Sequence, residues 1–248
     1  MMKTENMENE EIMADEKKRE IAIPGEKIVT GKDYLPGEGT RREGDEVIAS
    51  RYGLAEVSWR LVKVIPLSGT YMPRAGNVVI GRVMDVSFNG WIMSIDAPYQ
   101  SFLPVSEYPR FIKGDLREFY DIGDMIVCKV NAVKAKGVDL TLKGMGLGKL
   151  ENGMIININS NKVPRVIGRE GSMIKLIKDK TGCEIVVGQN GIVWISGQDI
   201  ESELKAKEAI LFVTGKSLVE GLTDKVQAYF EGKKWATQKD STEENLMK

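Results

Sequence analysis

Val163-Pro164-Arg165-Val166-Ile167-Gly168-Arg169-Glu170-Gly171 is the stretch on which the fold turns. An apolar approach ends at Gly168, two charged residues follow, and Gly171 opens a helical pattern. Two glycines three apart let a backbone turn tightly with its N–H groups uncovered. A helix beginning at Gly171 adds its positive N-terminal end to the same spot. Such a turn can hold a phosphodiester backbone. It can equally be an ordinary loop-to-helix turn, because G-x-x-G alone is a weak signal. The flanking chain decides between them.

Working outward, residues 153–159 alternate as a strand and 164–167 form a short turn of helix. Residues 172–180 form a second helix, with Met173, Ile174 and Ile177 on one side and Lys175 and Lys178 on another. Gly182 stops it. Residues 184–187 and 192–196 are strands, joined through Gly188-Gln189-Asn190-Gly191. Asn-Gly favours a tight hairpin there; a second nucleic-acid turn is the less expected use of the same four residues. Ile200, Leu204, Leu211 and Val213 stripe a long helix ending at Gly215, and Leu218, Leu222, Val226 and Tyr229 suggest a further one. The order βααββα with GxxG between its first two helices resembles a KH domain, here over residues 149–235. That resemblance implies RNA contacts at Gly168 and Gly171 and at the flanking cations Lys162, Arg165, Arg169 and Lys175, with Lys178 beside them. Glu170 departs from the pattern, since an acidic side chain beside a phosphate is unfavourable.

Upstream, residues 73–148 read as a five-stranded barrel of the OB type. The strands begin near Asn77, Gly90, Ser101, Met125 and Val138, and Lys143-Gly144-Met145-Gly146-Leu147-Gly148 is a Gly-rich linker to the next module. Phe88, Trp91 and Phe102 are its sharpest candidates for stacking on bases, although Trp91 and Phe102 suit a barrel core equally well. Arg110, Lys113, Lys134 and Lys136 are loop cations able to steer a strand of nucleic acid. The segments Phe88-Asn89-Gly90-Trp91 and Leu103-Pro104-Val105-Ser106 resemble the OB-fold RNA-binding domain of the ribosomal S-one type, with Pro104 where that family often has His. Glu170 shifts the expected main grip from the KH turn to this barrel.

Residues 21–72 carry short β-branched runs separated by turns such as Pro24-Gly25 and Gly44-Asp45, with residues 34–40 read as loop. A small all-β domain is expected, too short at about fifty residues to build much core alone. Residues 1–20 and 236–248 are polar tails, the first expected to be disordered.

Composition bounds the function. The chain has 248 residues, 29% of them charged, and a net charge of −1. That total hides a contrast: residues 1–20 hold four Lys/Arg against seven Asp/Glu, whereas residues 162–180 hold six against two. The basic excess therefore surrounds the glycine turn. There is no histidine, which removes the commonest general base and neutral metal ligand. Cys128 and Cys183 lie in apolar strand contexts and read as buried free thiols. No apolar run approaches the ~20 residues of a membrane span, and residues 1–20 lack the apolar core of a secretory leader. A cytoplasmic chain with no membrane partner and no cofactor is expected.

A multidomain chain, mainly β and then α/β, with the barrel preceding the KH module, is more specific than either motif. Together with Pro24-Gly25-Glu26, Gly44-Asp45-Glu46-Val47 and Leu67-Ser68-Gly69-Thr70-Tyr71-Met72-Pro73, it resembles the RNA-binding cap subunits of the archaeal exosome. The resemblance implies a non-catalytic subunit, present in three copies on a ring of phosphorolytic subunits. Its N-terminal domain would dock on the ring, and its barrels would pass single-stranded RNA into the pore for 3′-to-5′ degradation. Two rivals stand beside it. One is a ribonuclease using Asp85, Asp96, Asp121 or Asp124 as metal ligands. The other is a free-standing RNA-binding regulator or translation-related protein.

Overall fold

The computed structural model describes residues 20–108, 114–215 and 221–230. The chain forms two compact units, Met1–Gly69 and Thr70–Lys248.

The first unit holds seven short strands: β1 (Glu20–Ala22), β2 (Lys27–Thr30), β3 (Leu35–Pro36), β4 (Thr40–Glu43), β5 (Glu46–Ala49), β6 (Gly53–Ser58) and β7 (Leu61–Pro66). They make two small sheets, β1-β6-β7-β3 and β2-β5-β4. The stretch expected to be loop at 34–40 is not wholly irregular. Leu35 and Pro36 pair in parallel with Leu61 and Val62, and β4 starts at Thr40, whose hydroxyl bonds the carbonyls of Gly37 and Val62. Part of the core is made of small side chains, Ala22, Ala49, Ala55 and Val64. Gly53 has to be glycine, because a Cβ there would lie 2.2 Å from the Ile65 carbonyl oxygen.

The second unit begins with the barrel. Strands β8 (Val78–Ser87), β9 (Gly90–Ser94), β10 (Ser101–Pro104), β11 (Met125–Lys134) and β12 (Gly137–Thr141) close on themselves, β8-β9-β10-β12-β11, with β11 returning to β8. This is the five-stranded OB barrel expected. The end of the Gly-rich linker is structured as β13 (Gly148–Leu150), which pairs with Met125, Ile126 and Val127 of β11. Strand alternation sends Val79, Val83, Trp91, Met93, Leu103, Ile126, Cys128 and Leu140 into one core.

The KH module follows as β14 (Met154–Asn157), α1 (Val163–Ile167), α2 (Ser172–Thr181), β15 (Glu184–Val187), β16 (Ile192–Ser196), α3 (Ile200–Gly215) and α4 (Leu222–Phe230). Its sheet order is β14-β16-β15, and one face packs on the helices through Ile156, Val166, Ile177, Val193, Ile195 and Ile210. The expected stripe on α3 is corrected. Ala206, Ala209, Ile210, Val213 and Thr214 are buried, while Ile200, Leu204 and Leu211 are exposed. Small alanines rather than leucines let α3 approach its neighbours. Leu218 of the next expected helix lies outside the described residues.

β16 reads Ile-Val-Trp-Ile and is buried at every one of these positions, because both its faces are covered. Ile192 and Trp194 pack against Ile80 and Val127 of the barrel. Ile80 and Val127 point outward from the barrel, so the unbroken apolar runs there have the same cause. Cys128 and Cys183 are free and buried, and burial pushes the Cys128 thiol up to about 12.

Candidate nucleic-acid interface

Helix α1 ends at Gly168, whose N–H donates to the Pro164 carbonyl at 3.0 Å. Gly168 has φ 76° and ψ 177°, and a Cβ there would sit 2.7 Å from the Met173 amide nitrogen. Glu170 follows at φ 51°, ψ 27°, and Gly171 at φ 78°. Both are left-handed, a conformation that glycine takes freely and glutamate does not. Gly171 is thus required by its dihedrals, since no atom lies closer than 3.9 Å to its would-be Cβ. Gly171 is the N-cap of α2 and supplies no side-chain cap, while the Ser172 amide donates to the Arg169 carbonyl. The positive end of the α2 dipole lies at the turn, where it favours an anion.

Around the turn, Arg165, Arg169 and Lys175 are exposed and Lys162 is half-buried. Among the described residues none of these four cations is held in an ion pair. Glu170 is exposed on the same turn. The structure therefore brings Lys162, Arg165, Gly168, Arg169, Gly171 and Lys175 into one stretch of surface around α1 and the start of α2.

The barrel is less uniform than the sequence suggested. Phe88 is 94% exposed. It forms the two-residue turn with Asn89 between the paired residues Ser87 and Gly90. Phe102 is half-buried and lies over Gly90, where a Cβ would come within 2.9 Å of the Phe102 Cζ. Its strand partners are Ile92 on β9 and Asp139 on β12, so it sits on the outward face of the barrel. Trp91 corrects the expectation of a third stacking ring. It is fully buried, its Nε1 donates to the Tyr120 carbonyl at 2.9 Å, and its ring meets Tyr120 edge-on at 5.1 Å. Strand alternation causes this: Gly90 and Ile92 face outward, so the residue between them faces inward. Burial also pushes the Tyr120 phenol up to about 12.

Lys134 is held by the Asp139 carboxylate, beside Phe102. Lys136 is exposed in the turn between β11 and β12. Arg110 and Lys113 lie outside the described residues. The sequence overlooked Arg82, which is exposed on β8 opposite Ser94; its place two residues before the outward-facing Met84 was the available signal.

The acidic residues proposed as metal ligands do turn and pairing work. Asp124 accepts from the Asp121 amide at 2.9 Å and pairs with Lys149 at 2.7 Å; burial is the largest single influence and pushes its carboxyl up, but these partners together outweigh it and hold the carboxyl below the usual range. Asp121 accepts from the Ile122 amide and Asp85 from the Val86 amide. Among the described residues, no three His, Cys, Asp or Glu side chains converge.

The Gly188–Gly191 hairpin, expected as a plain turn, proves to be the joint between modules. Asn190 is buried, and its amide bonds the barrel backbone at Ile80 and Ile95. Nothing in local sequence distinguishes this from a solvent-exposed Asn-Gly turn.

Comparison with known proteins agrees with this architecture. The family model for the KH domain matches residues 153–212. The model described as the exosome complex exonuclease RRP4 N-terminal region matches residues 21–58. The exosome complex component Rrp4 of Thermococcus kodakarensis is 44% identical over 220 residues, covering 86% of this chain and 85% of that protein. The Rrp4 of Methanothermus fervidus is 44% identical over 214 residues, covering 86% and 96%. A crystal structure of a chain described as an exosome complex RNA-binding protein superposes with a TM-score of 0.61 at 34% identity, covering 66% of this chain and 97% of that one. By sequence along most of its length, and by the order of its modules, the chain belongs to the Rrp4 family of exosome complex components.

Proposed function

We propose that this chain is a non-catalytic cap of an exosome ring that captures single-stranded RNA and feeds it into the pore for 3′-to-5′ degradation. The observation that carries the reading is the Gly168–Gly171 turn. It offers positive-φ glycines, the N-terminal end of α2 and four cations that form no ion pair among the described residues. These groups fit a phosphodiester backbone and read no base edge. Phe88 and Phe102 add rings that accept any base. Little sequence preference follows, as a channel that passes every transcript requires.

The ring partner is inferred from the family, whose members are named as components of a complex. In the first unit, Trp59 is 80% exposed, with Leu35 and Leu61 also exposed and paired across β3 and β7. An exposed tryptophan beside two leucines suits a docking anchor, and we assign the ring contact to it. Three copies around one axis would raise the effective concentration of weak sites.

The test uses the full chain and a labelled oligoribonucleotide. Binding should weaken steeply as salt rises, and the RNA should stay intact with Mg²⁺ or phosphate. Degradation by the purified chain would replace this reading with the ribonuclease one. Binding without any complex forming on addition of phosphorolytic ring subunits would favour the free-standing regulator.

A further inference from the structure

We propose that the exposed apolar face of α3 is the seat of the chain's own C-terminal segment, residues 231–238, held there by Trp235. All of its parts lie in the KH module, and it stands apart from the RNA reading.

Helix α3 has two apolar sides. One is buried and built on Ala206, Ala209, Ile210 and Val213. The other is a line of Ile200, Leu204 and Leu211, which are 72%, 43% and 44% exposed. At 3.6 residues per turn these three lie within about 40° of one another and extend over roughly 16 Å of helix. Lys207 is half-buried between Leu204 and Leu211, three residues from one and four from the other. Among the described residues the line stays open to solvent. It is too small for a stable contact between copies of the chain. Three aliphatic side chains in one row fall well short of the ~1,200 Å² such an interface buries. One indole, which buries about 150–250 Å², matches it.

The course of the chain leads to that indole. Helix α4 runs back along α3: Tyr229, seven residues after Leu222, meets Glu208, seven residues before Gly215. The Tyr229 hydroxyl donates to the Glu208 carboxylate at 2.9 Å, and its ring stacks on Phe212 at 5.5 Å. The end of α4 is thus set beside Glu208, one helical turn from both Leu204 and Leu211. Gly232, a residue type that ends helices, follows two positions after Phe230. Trp235 comes five positions after Phe230, a reach of up to ~17 Å, which spans the line. It is the only aromatic residue among 231–248, and Lys233 and Lys234 bring opposite charge to the Glu208 side. The KH family model stops at residue 212, so α4 and the segment after it are additions to the matched KH unit. With the segment seated, this face of α3 is closed to other proteins.

The experiment places one cysteine, Lys207→Cys, between Leu204 and Leu211 in the full chain and measures how fast it reacts with a maleimide. Cys128 and Cys183 are buried, so the introduced thiol gives the fast signal. Adding Trp235→Ala, or ending the chain at Phe230, should raise the rate about tenfold, equally for both changes and at every protein concentration. Methyl NMR of the protein without the cysteine gives a second reading. The Leu204 and Leu211 methyls should show contacts to the Trp235 indole and should shift in Trp235→Ala, while those of Ile177 in the KH core stay in place. Equal rates in all variants, with no contact from the indole, overturn the proposal. A rise on truncation that Trp235→Ala does not reproduce removes Trp235 as the anchor and overturns it as well. Shielding that fades on dilution assigns the face to a second copy of the chain, which also overturns it.

Discussion

In the proposed role, the KH turn and the outward face of the barrel would divide the work of holding RNA between charge and stacking. The turn carries Lys162, Arg165, Arg169 and Lys175 without ion pairs among the described residues, and it has no aromatic ring in its sequence from 162 to 175. The barrel face carries Phe88 and Phe102, but Lys134 is already bound by Asp139. A free cation contributes affinity that fades with salt. A stacked base contributes affinity that salt barely touches. Against the expectation that Glu170 makes the turn the weaker grip, we propose that the turn is the stronger one: one exposed carboxylate is set against four cations, whereas the barrel gives up its third ring and pairs one of its lysines.

Trp91→Ala is the largest test of the barrel half. A buried tryptophan cut to alanine should cost about 3–5 kcal/mol of stability, and the lost hydrogen bond to Tyr120 adds to the damage. Chemical denaturation reads this directly. A Trp91→Ala protein of unchanged stability but lowered RNA affinity would return Trp91 to the surface. Arg169→Glu tests the other half. Removing one charge-assisted contact should cost about 1.5–3 kcal/mol of binding and lower the slope of log affinity against log salt by about 0.7. Unchanged affinity and slope would make the turn a structural element only.

The KH order, the closed barrel and the glycine turn were legible because each depends on local sequence. Gly168, Gly171 and Gly182 mark left-handed positions that few other residues take, and strands 184–187 and 192–196 fall where β-branched runs place them. What stayed hidden depends on partners distant in sequence. The side of β9 on which Trp91 falls is fixed by Tyr120 and by strand register, 29 residues away in the case of that hydrogen bond. Asn190 bonds Ile80 across 110 residues, so an Asn-Gly hairpin gave no sign of the joint. The pairing of Lys134 with Asp139 spans a two-residue turn, yet a list of cations passes over the acid that neutralises one of them. One clue was available and unused: Ile192-Val193-Trp194-Ile195 has no polar alternation, which for a central strand means cover on both faces.

Phe102→Ala should weaken oligoribonucleotide binding by about 1–3 kcal/mol, the range for one stacked base. Because the lost contact is a ring, the salt slope should not move. That separates it from Arg169→Glu even if the two affinities fall equally. Phe102 lies over Gly90, so some stability should be lost as well, and thermal unfolding must accompany the binding measurement. A changed slope with Phe102→Ala would mean that the ring positions a cation rather than a base.

Asp139→Asn should have the smallest effect and is the most direct probe of the division between the two surfaces. Asp139 is the strand partner of Phe102 and the counter-ion of Lys134, so the substitution leaves the ring in place and frees the lysine. A partly exposed pair of this kind contributes about 1 kcal/mol or less to folding, and stability should change little. Binding should strengthen slightly, and the salt slope should steepen by about 0.7 as Lys134 gains a phosphate. The barrel would then behave more like the KH turn, with charge and stacking on one face. If affinity and slope stay as in the wild type, RNA does not run past Lys134, and its path over the barrel must follow Phe88, Lys136 or Arg82 instead.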